Sequence, residues 1–256
     1  MFTSTILFTF IFGLIVGSFL NVLILRYHTG RPISGRSGCM SCGKKLSWYE
    51  LLPVVSFFLQ HGRCRGCKSK ISWQYPIVEV LTGVMFVLIT WYFGATPGLM
   101  IFYWLLATVS IFIFAYDWRH QIIPDSATII LLFLAILRVL FFGPGVLDSV
   151  ITGIGFFLVF WSLWYFSGGR WLGFGDAKLV LAIGLLLGSQ QGIVALCLAF
   201  WLGAIVGLGM IAISRAGKLI KNTRRYTIKS EIPFAPFLLI GLWLSIILQI
   251  NEIFFF

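Results

Sequence analysis

The sequence predicts an all-α polytopic membrane protein with about eight transmembrane helices and one large polar, cysteine-bearing loop after the first. Three observations carry this reading. Of 256 residues 59% are hydrophobic and only 11% charged, and the mean hydropathy is +0.99, far outside the range of ordinary soluble domains. Apolar runs recur at lengths that cross about 30 Å of hydrocarbon at about 1.5 Å per helical residue. The net charge of +11 sits in breaks between those runs, where it reads as a topology signal and not as a nucleic-acid surface.

Taken in order, residues 1–25 carry no charge and form the first helix. The positive n-region of a secretory signal is missing and Gly17-Ser18-Phe19-Leu20-Asn21 is no small-residue cleavage site, so the segment is expected to be retained. The chain thus divides into a first helix (residues 1–27), a polar loop (28–74) and a seven-helix membrane domain (75–256). Residues 80–116 are uncharged but too long for one crossing, and Gly94-Ala95-Thr96-Pro97-Gly98 breaks them into a hairpin. Further runs cover residues 126–142, 150–166, 177–187, 192–213 and 233–250, the sixth helix of the chain, 177–187, being short. Gly203, Gly207 and Gly209 offer a small-residue face for helix packing. No internal repeat is evident.

Eight crossings return the C-terminus to the side of the N-terminus. The basic loops at residues 31–70 and 215–229 belong in the cytoplasm by the positive-inside rule, so both termini face out, and Asp148 and Glu252 fall outside with them. Arg138, inside an apolar run, has to snorkel or pair.

Acids are costly in such a chain, and two stand out. Asp117 closes the third helix in Tyr116-Asp117-Trp118-Arg119-His120, and Asp176 opens the sixth in Gly173-Phe174-Gly175-Asp176. Two helices separate them, and an even number of crossings brings the chain back to the face it left. The two carboxylates therefore share a membrane side. Two aspartates sharing one proton can hydrolyse a peptide without a metal, one activating water while the other protonates the carbonyl oxygen. Gly173 and Gly175 would let the backbone approach a substrate strand closely. The competing reading makes these acids helix caps or partners of Arg119 and Lys178. Asp125, just after Pro124, is expected to cap the helix it opens.

These residues resemble the membrane aspartyl proteases with a Gly-x-Gly-Asp element. Gly17-Ser18-Phe19-Leu20-Asn21-Val22, Tyr75-Pro76-Ile77-Val78-Glu79, Ile123-Pro124-Asp125 and Ile232-Pro233-Phe234-Ala235-Pro236-Phe237 narrow the resemblance to the type IV prepilin leader peptidase and N-methyltransferase family. The likeness runs from the first helix to the last. It implies catalytic roles for Asp117 and Asp176, prepilin or pseudopilin substrates and a place in the bacterial cytoplasmic membrane, where lipid is the other partner. It also implies methylation of the new pilin N-terminus with S-adenosylmethionine. No glycine-rich nucleotide loop follows a strand here, so the candidates for that step are Asn21, Arg26, Gly62 and Glu79, around the loop and its flanks. A peptidase lacking methyl transfer is the alternative. A transporter or an assembly scaffold would not require the two aspartates on one face. Gly173, Gly175, Pro233 and Pro236 are the candidates for holding an extended leader.

Cys39-Met40-Ser41-Cys42 and Cys64-Arg65-Gly66-Cys67 stand 21 residues apart. Two such knuckles supply four thiolates to a tetrahedral zinc, and a metal would order a loop too small for its own core. Redox disulfides are the alternative, disfavoured in a reducing cytoplasm. Cys197 is expected as a small core residue of an apolar helix.

Overall fold

A computed structural model describes residues 2–29, 32, 34–142, 145–216 and 233–248. Most of the second basic loop, with Ile232, Ile250 and Glu252, lies outside the described residues. The chain forms α1 (Phe2–Arg26), a single 3₁₀ turn (Trp48–Leu51), α2 (Val55–Leu59), α3 (Gln74–Phe93), α4 (Pro97–His120), α5 (Asp125–Phe141), α6 (Val146–Ser167), α7 (Phe174–Ala216) and α8 (Ala235–Leu248). Five of these helices are long and apolar enough to span a membrane, namely α1, α3, α4, α6 and α7. The 43 residues of α7 amount to about 65 Å, twice the hydrocarbon thickness. It bends into two segments at Gly188, whose φ of 70° and ψ of −169° are open to glycine and essentially no other residue. With α5 at 17 residues and α8 at 14, the described residues hold the eight apolar helical segments the sequence predicts, and the chain is a multi-pass membrane protein.

Packing divides the chain into two compact units, Met1–Ala115 and Tyr116–Phe256. In the first, α1 runs antiparallel to α3. Gly13 and Gly17, four residues apart, face Gly83 and Glu79, and a Cβ on either glycine would come within 2.7 Å of the α3 backbone. Without a hydrophobic drive between helices in lipid, this close backbone contact is what dispersion forces can exploit. On α4, Trp104 stacks on Phe86 with ring centres 5.0 Å apart and donates its indole N–H to the Phe86 carbonyl oxygen. The turn between α3 and α4 ends with Pro97 as the first residue of α4, where its missing N–H would have no helical partner anyway.

In the second unit the first segment of α7, residues 174–187, is the most enclosed, with Ala177, Leu179, Val180, Ala182, Ile183 and Leu186 fully buried. Helix α6 lies against it where a Cβ on Gly184 would meet the Gly153 Cα at 2.7 Å. Helix α8 meets the second segment where Gly241 sits against the Ala195 carbonyl, leaving no room for a side chain. The expected small-residue face is looser: a Cβ on Gly203 would meet Phe234 and Phe237 at ordinary contact distance, and among the described residues no atom lies within 4 Å of one on Gly209. Asp148 turns out to cap a helix, because its Oδ2 accepts the Ser189 N–H at 2.9 Å where α7 restarts after Gly188. Arg138 occupies the last turn of α5, the end a cation favours through the helix dipole. Cys197 is exposed on α7 among the described residues and is not part of the core.

Candidate active site

Asp117 sits one turn before the end of α4 and Asp176 in the first turn of α7. Both belong to the second unit and both are buried, at 4% and 8% exposure. The charge of Asp117 acts directly on Asp176. Helices α5 and α6 separate them in the chain, as the parity argument requires.

The turn before α7 fixes the Asp176 carboxylate. Its backbone N–H donates to the Gly173 carbonyl at 3.1 Å, and its Oδ2 accepts the Gly173 N–H at 3.2 Å. The side chain thus reaches back to the residue that caps its own helix, as the acid of a capping box does. Gly175 faces the other way, and a Cβ there would meet the Ile123 Cβ at 3.1 Å. The Ile123-Pro124-Asp125 element therefore lies against the Gly-x-Gly-Asp turn. A second tie comes from Lys178, which donates to Asp125 Oδ1 at 2.6 Å and lies 4.9 Å from the centre of the Phe174 ring. Asp125 does not cap α5. Pro124 occupies the cap position, and the Asp125 carboxylate turns to Lys178 instead. Pro236 is buried in the first turn of α8, and Pro233 is half-buried just before it.

In the first unit the four cysteine sulfurs lie within 4.8 Å of one another. Cys39 Sγ and Cys67 Sγ are 3.8 Å apart, the edge length of a tetrahedron whose metal–sulfur bonds are about 2.3 Å. The two knuckles are copies. Cys39 N–H donates to the Lys44 carbonyl and Cys64 N–H to the Ser69 carbonyl, both at 2.9 Å. Ser41 N–H points at Cys39 Sγ and Gly66 N–H at Cys64 Sγ, both at 3.4 Å. Leu46 closes on Ser37 as Ile71 closes on Gly62. The correspondence is an offset of 25 residues that also pairs Ser47-Trp48 with Ser72-Trp73. This internal repeat escaped the sequence reading, although aligning the knuckles on their cysteines reveals it.

Backbone N–H groups of Cys42 and Ser41 hold the Cys39 thiol down at about 6. Against the Lys44 N–H, which lowers it, the neighbouring Cys67 and Cys39 push the Cys42 thiol up to about 11. Thiols this crowded cannot all ionise alone, and a divalent cation at the centre would let them.

The four residues named for methyl transfer also fall in the first unit. Asn21 is buried and donates its amide to the Tyr75 carbonyl at 3.0 Å, while its Oδ1 has no partner among the described residues. Glu79, one turn along α3 from Tyr75 and equally buried, accepts the Val54 N–H at 2.7 Å. Arg26 is engaged by the carbonyls of Pro32 and Arg36. Gly62 has a φ of 63° and faces the Phe57 ring.

Comparison with known proteins matches residues 11–93 to the Bacterial Peptidase A24 N-terminal domain and residues 104–208 to the Type IV leader peptidase family. A protein of Aeromonas salmonicida (strain A449) named prepilin leader peptidase/N-methyltransferase is 33% identical, over 93% of this chain and 89% of its own. A protein of the same name from Myxococcus xanthus is 35% identical over 85% of this chain and 67% of its own. A third, from Pseudomonas aeruginosa, is 29% identical over 94% and 90%. No solved structure matches the chain.

Proposed function

This chain belongs to the type IV leader peptidase family, and we propose that it cleaves the leader from type IV prepilins or pseudopilins and methylates the new N-terminus. The observation that carries the peptidase reading is the burial of two carboxylates, Asp117 at a helix end and Asp176 behind a glycine turn, within reach of each other's charge. With one proton between them, one carboxylate takes a proton from water as its oxygen attacks the scissile carbonyl, and the other protonates the carbonyl oxygen. The tetrahedral product collapses when the leaving amine receives a proton from the pair. The dyad titrates as a unit, so neither aspartate carries a fixed role.

Gly173 and Gly175 hold the substrate strand in this reading, with Pro233 and Pro236 opposite. A peptide bond inside a helix is shielded, and lipid cannot replace hydrogen bonds lost on unwinding. Cleavage therefore takes place just outside the hydrocarbon, on the cytoplasmic face of the bacterial inner membrane, with both basic loops on that side and both termini out.

Cys39, Cys42, Cys64 and Cys67 hold one zinc, which orders the loop and takes no part in bond cleavage. Their spacing fits the ion. S-adenosylmethionine supplies the methyl group. A cationic donor of that kind fits the buried carboxylate of Glu79 and the partnerless Oδ1 of Asn21, whereas Arg26 and Gly62 are already used in shaping the loop.

Co-expression with a pilin precursor tests the peptidase reading. Wild type should shift the precursor to the mature size on a gel and Asp117→Ala should leave it uncut. A fully processed precursor with the variant would overturn the assignment. Mass analysis of the mature N-terminus reads methylation in the same sample.

A further inference from the structure

The loop between α1 and α3 should, as a soluble module, turn its apolar side chains inward. It does the reverse. Trp48 is 76% exposed and Leu59 64% exposed, and Leu51, Leu52, Val55 and Phe58 are exposed with them. Patches of contiguous apolar side chains on a small surface mark contact with something apolar.

Two observations identify the occupant. First, the patch continues an exposed apolar face of a helix long and apolar enough to span a membrane. Trp73 and Ile77 open a stripe of exposed side chains on α3 that runs on through Val80, Leu81, Val84 and Leu88, one side of a helix read as a membrane span. The short helix α2 is fastened beside the start of that stripe. Glu79 on α3 accepts the Val54 N–H, and the Trp73 ring lies 4.8 Å from Phe57 and 6.3 Å from Phe58. The hold is firm enough to keep Val54, a β-branched residue, at a φ of 60°.

Second, the charge around the patch has one sign. Arg36, Lys44, Lys45, Arg63, Arg65, Lys68 and Lys70 are all exposed, and the loop's one acid, Glu50, is buried against Lys44 and the Ser47 N–H. An apolar plate carrying tryptophan in a loop whose exposed charges are all lysine and arginine matches the boundary between acyl chains and anionic headgroups.

We propose that residues 48–59 lie in the plane of the membrane surface, their apolar side chains at the acyl boundary and the neighbouring basic residues on anionic phospholipid. The cysteine cluster is thereby held at the membrane and does not hang into the cytoplasm. This rests on α3 being a membrane span and is independent of the peptidase assignment.

The test uses the full chain in nanodiscs of phosphatidylcholine and phosphatidylglycerol in equal parts, with a trace of lipid bearing a photoreactive acyl chain. After illumination, mass mapping should find adducts on residues 48–59 as well as on the α3 stripe. Trp48→Ser/Phe58→Ser/Leu59→Ser should lose the loop adducts while keeping the α3 adducts and the metal content, which separates lost docking from lost folding. In phosphatidylcholine alone the loop adducts should fall by about threefold or more. Adducts confined to α3 would overturn the proposal. In a parallel sample treated with a lysine-to-lysine crosslinker, chain-to-chain links through Lys44 or Lys45 in place of lipid adducts on residues 48–59 would overturn it in favour of a second copy, and equal adduct yield in both lipids would overturn the role of anionic headgroups.

Discussion

The cysteine cluster and the aspartate pair each gather ionisable groups in one place, but the chain builds them by opposite means. The cluster is local. Its four thiols fall within 29 consecutive residues, 39–67, and each knuckle is closed by its own backbone hydrogen bonds. The pair is remote, and Asp117 comes within reach of the charge of Asp176 only because the chain returns after α5 and α6. Damage to the cluster should therefore stay in the loop, whereas the pair should respond to any change in how α7 and the segment before α5 are held.

The largest effect tests the pair itself. Asp176→Asn should lower leader cleavage by on the order of a thousandfold or more, with the protein still folded in the membrane, because an amide can neither take a proton from water nor share one. Asp125→Asn should keep most of the activity. Its carboxylate is exposed, and a surface ion pair contributes little, about 0–1 kcal/mol. Similar losses for the two variants in a membrane assay of precursor cleavage would mean that acidity at this end of the bundle, and not this pair, is what matters.

Next comes the cluster. Purified wild type should hold about one zinc per chain, and Cys39→Ser/Cys42→Ser should hold almost none while retaining measurable peptidase activity. Elemental analysis and the cleavage assay on one preparation decide it. A metal-free wild type prepared without chelator would remove the zinc reading, and a double variant as dead as Asp176→Asn would remove the independence of the two regions.

A smaller change probes how the pair is held. Gly175→Val places a branched side chain where Ile123 already stands 3.1 Å from a bare Cβ, and overpacking of this kind costs about 1–3 kcal/mol. Cleavage should fall by about tenfold at unchanged expression, with Gly173→Val acting in the same direction through the Asp176 carboxylate it would crowd. Loss of the protein from the membrane instead would place the defect in folding.

How far each region was legible follows from the same contrast. Thiol spacing and the parity of crossings are one-dimensional, so both the cluster and the shared side of Asp117 and Asp176 could be read directly. The partners of Asp125 and Asp148 could not. Each is set by a residue 41 or more positions away, and no periodicity records such a pairing. The glycines at 203–209 look like a packing face in the sequence, yet the contacts made at Gly13, Gly17, Gly184 and Gly241 are far closer than the one at Gly203. Gly13 and Gly17 were findable, being four residues apart in an apolar helix.

The smallest effect lies inside the repeat. Gly43 and Lys68 hold the same place in their knuckles, with φ of 70° and 61°, so one copy meets the left-handed turn with glycine and the other with a side chain that strains it. No atom of the described residues lies within 4 Å of a Cβ built on Gly43, so Gly43→Ala tests backbone strain and should cost about 1 kcal/mol. Lys68→Gly relieves that strain but adds freedom to the unfolded loop, and these oppose each other within about 1 kcal/mol. Measured as resistance of the bound metal to a chelator, Gly43→Ala should lower it by about fivefold, and Lys68→Gly should change it by less, towards greater resistance. If Gly43→Ala has no effect, the two knuckles are not held to one backbone shape, and their likeness stops at the cysteines.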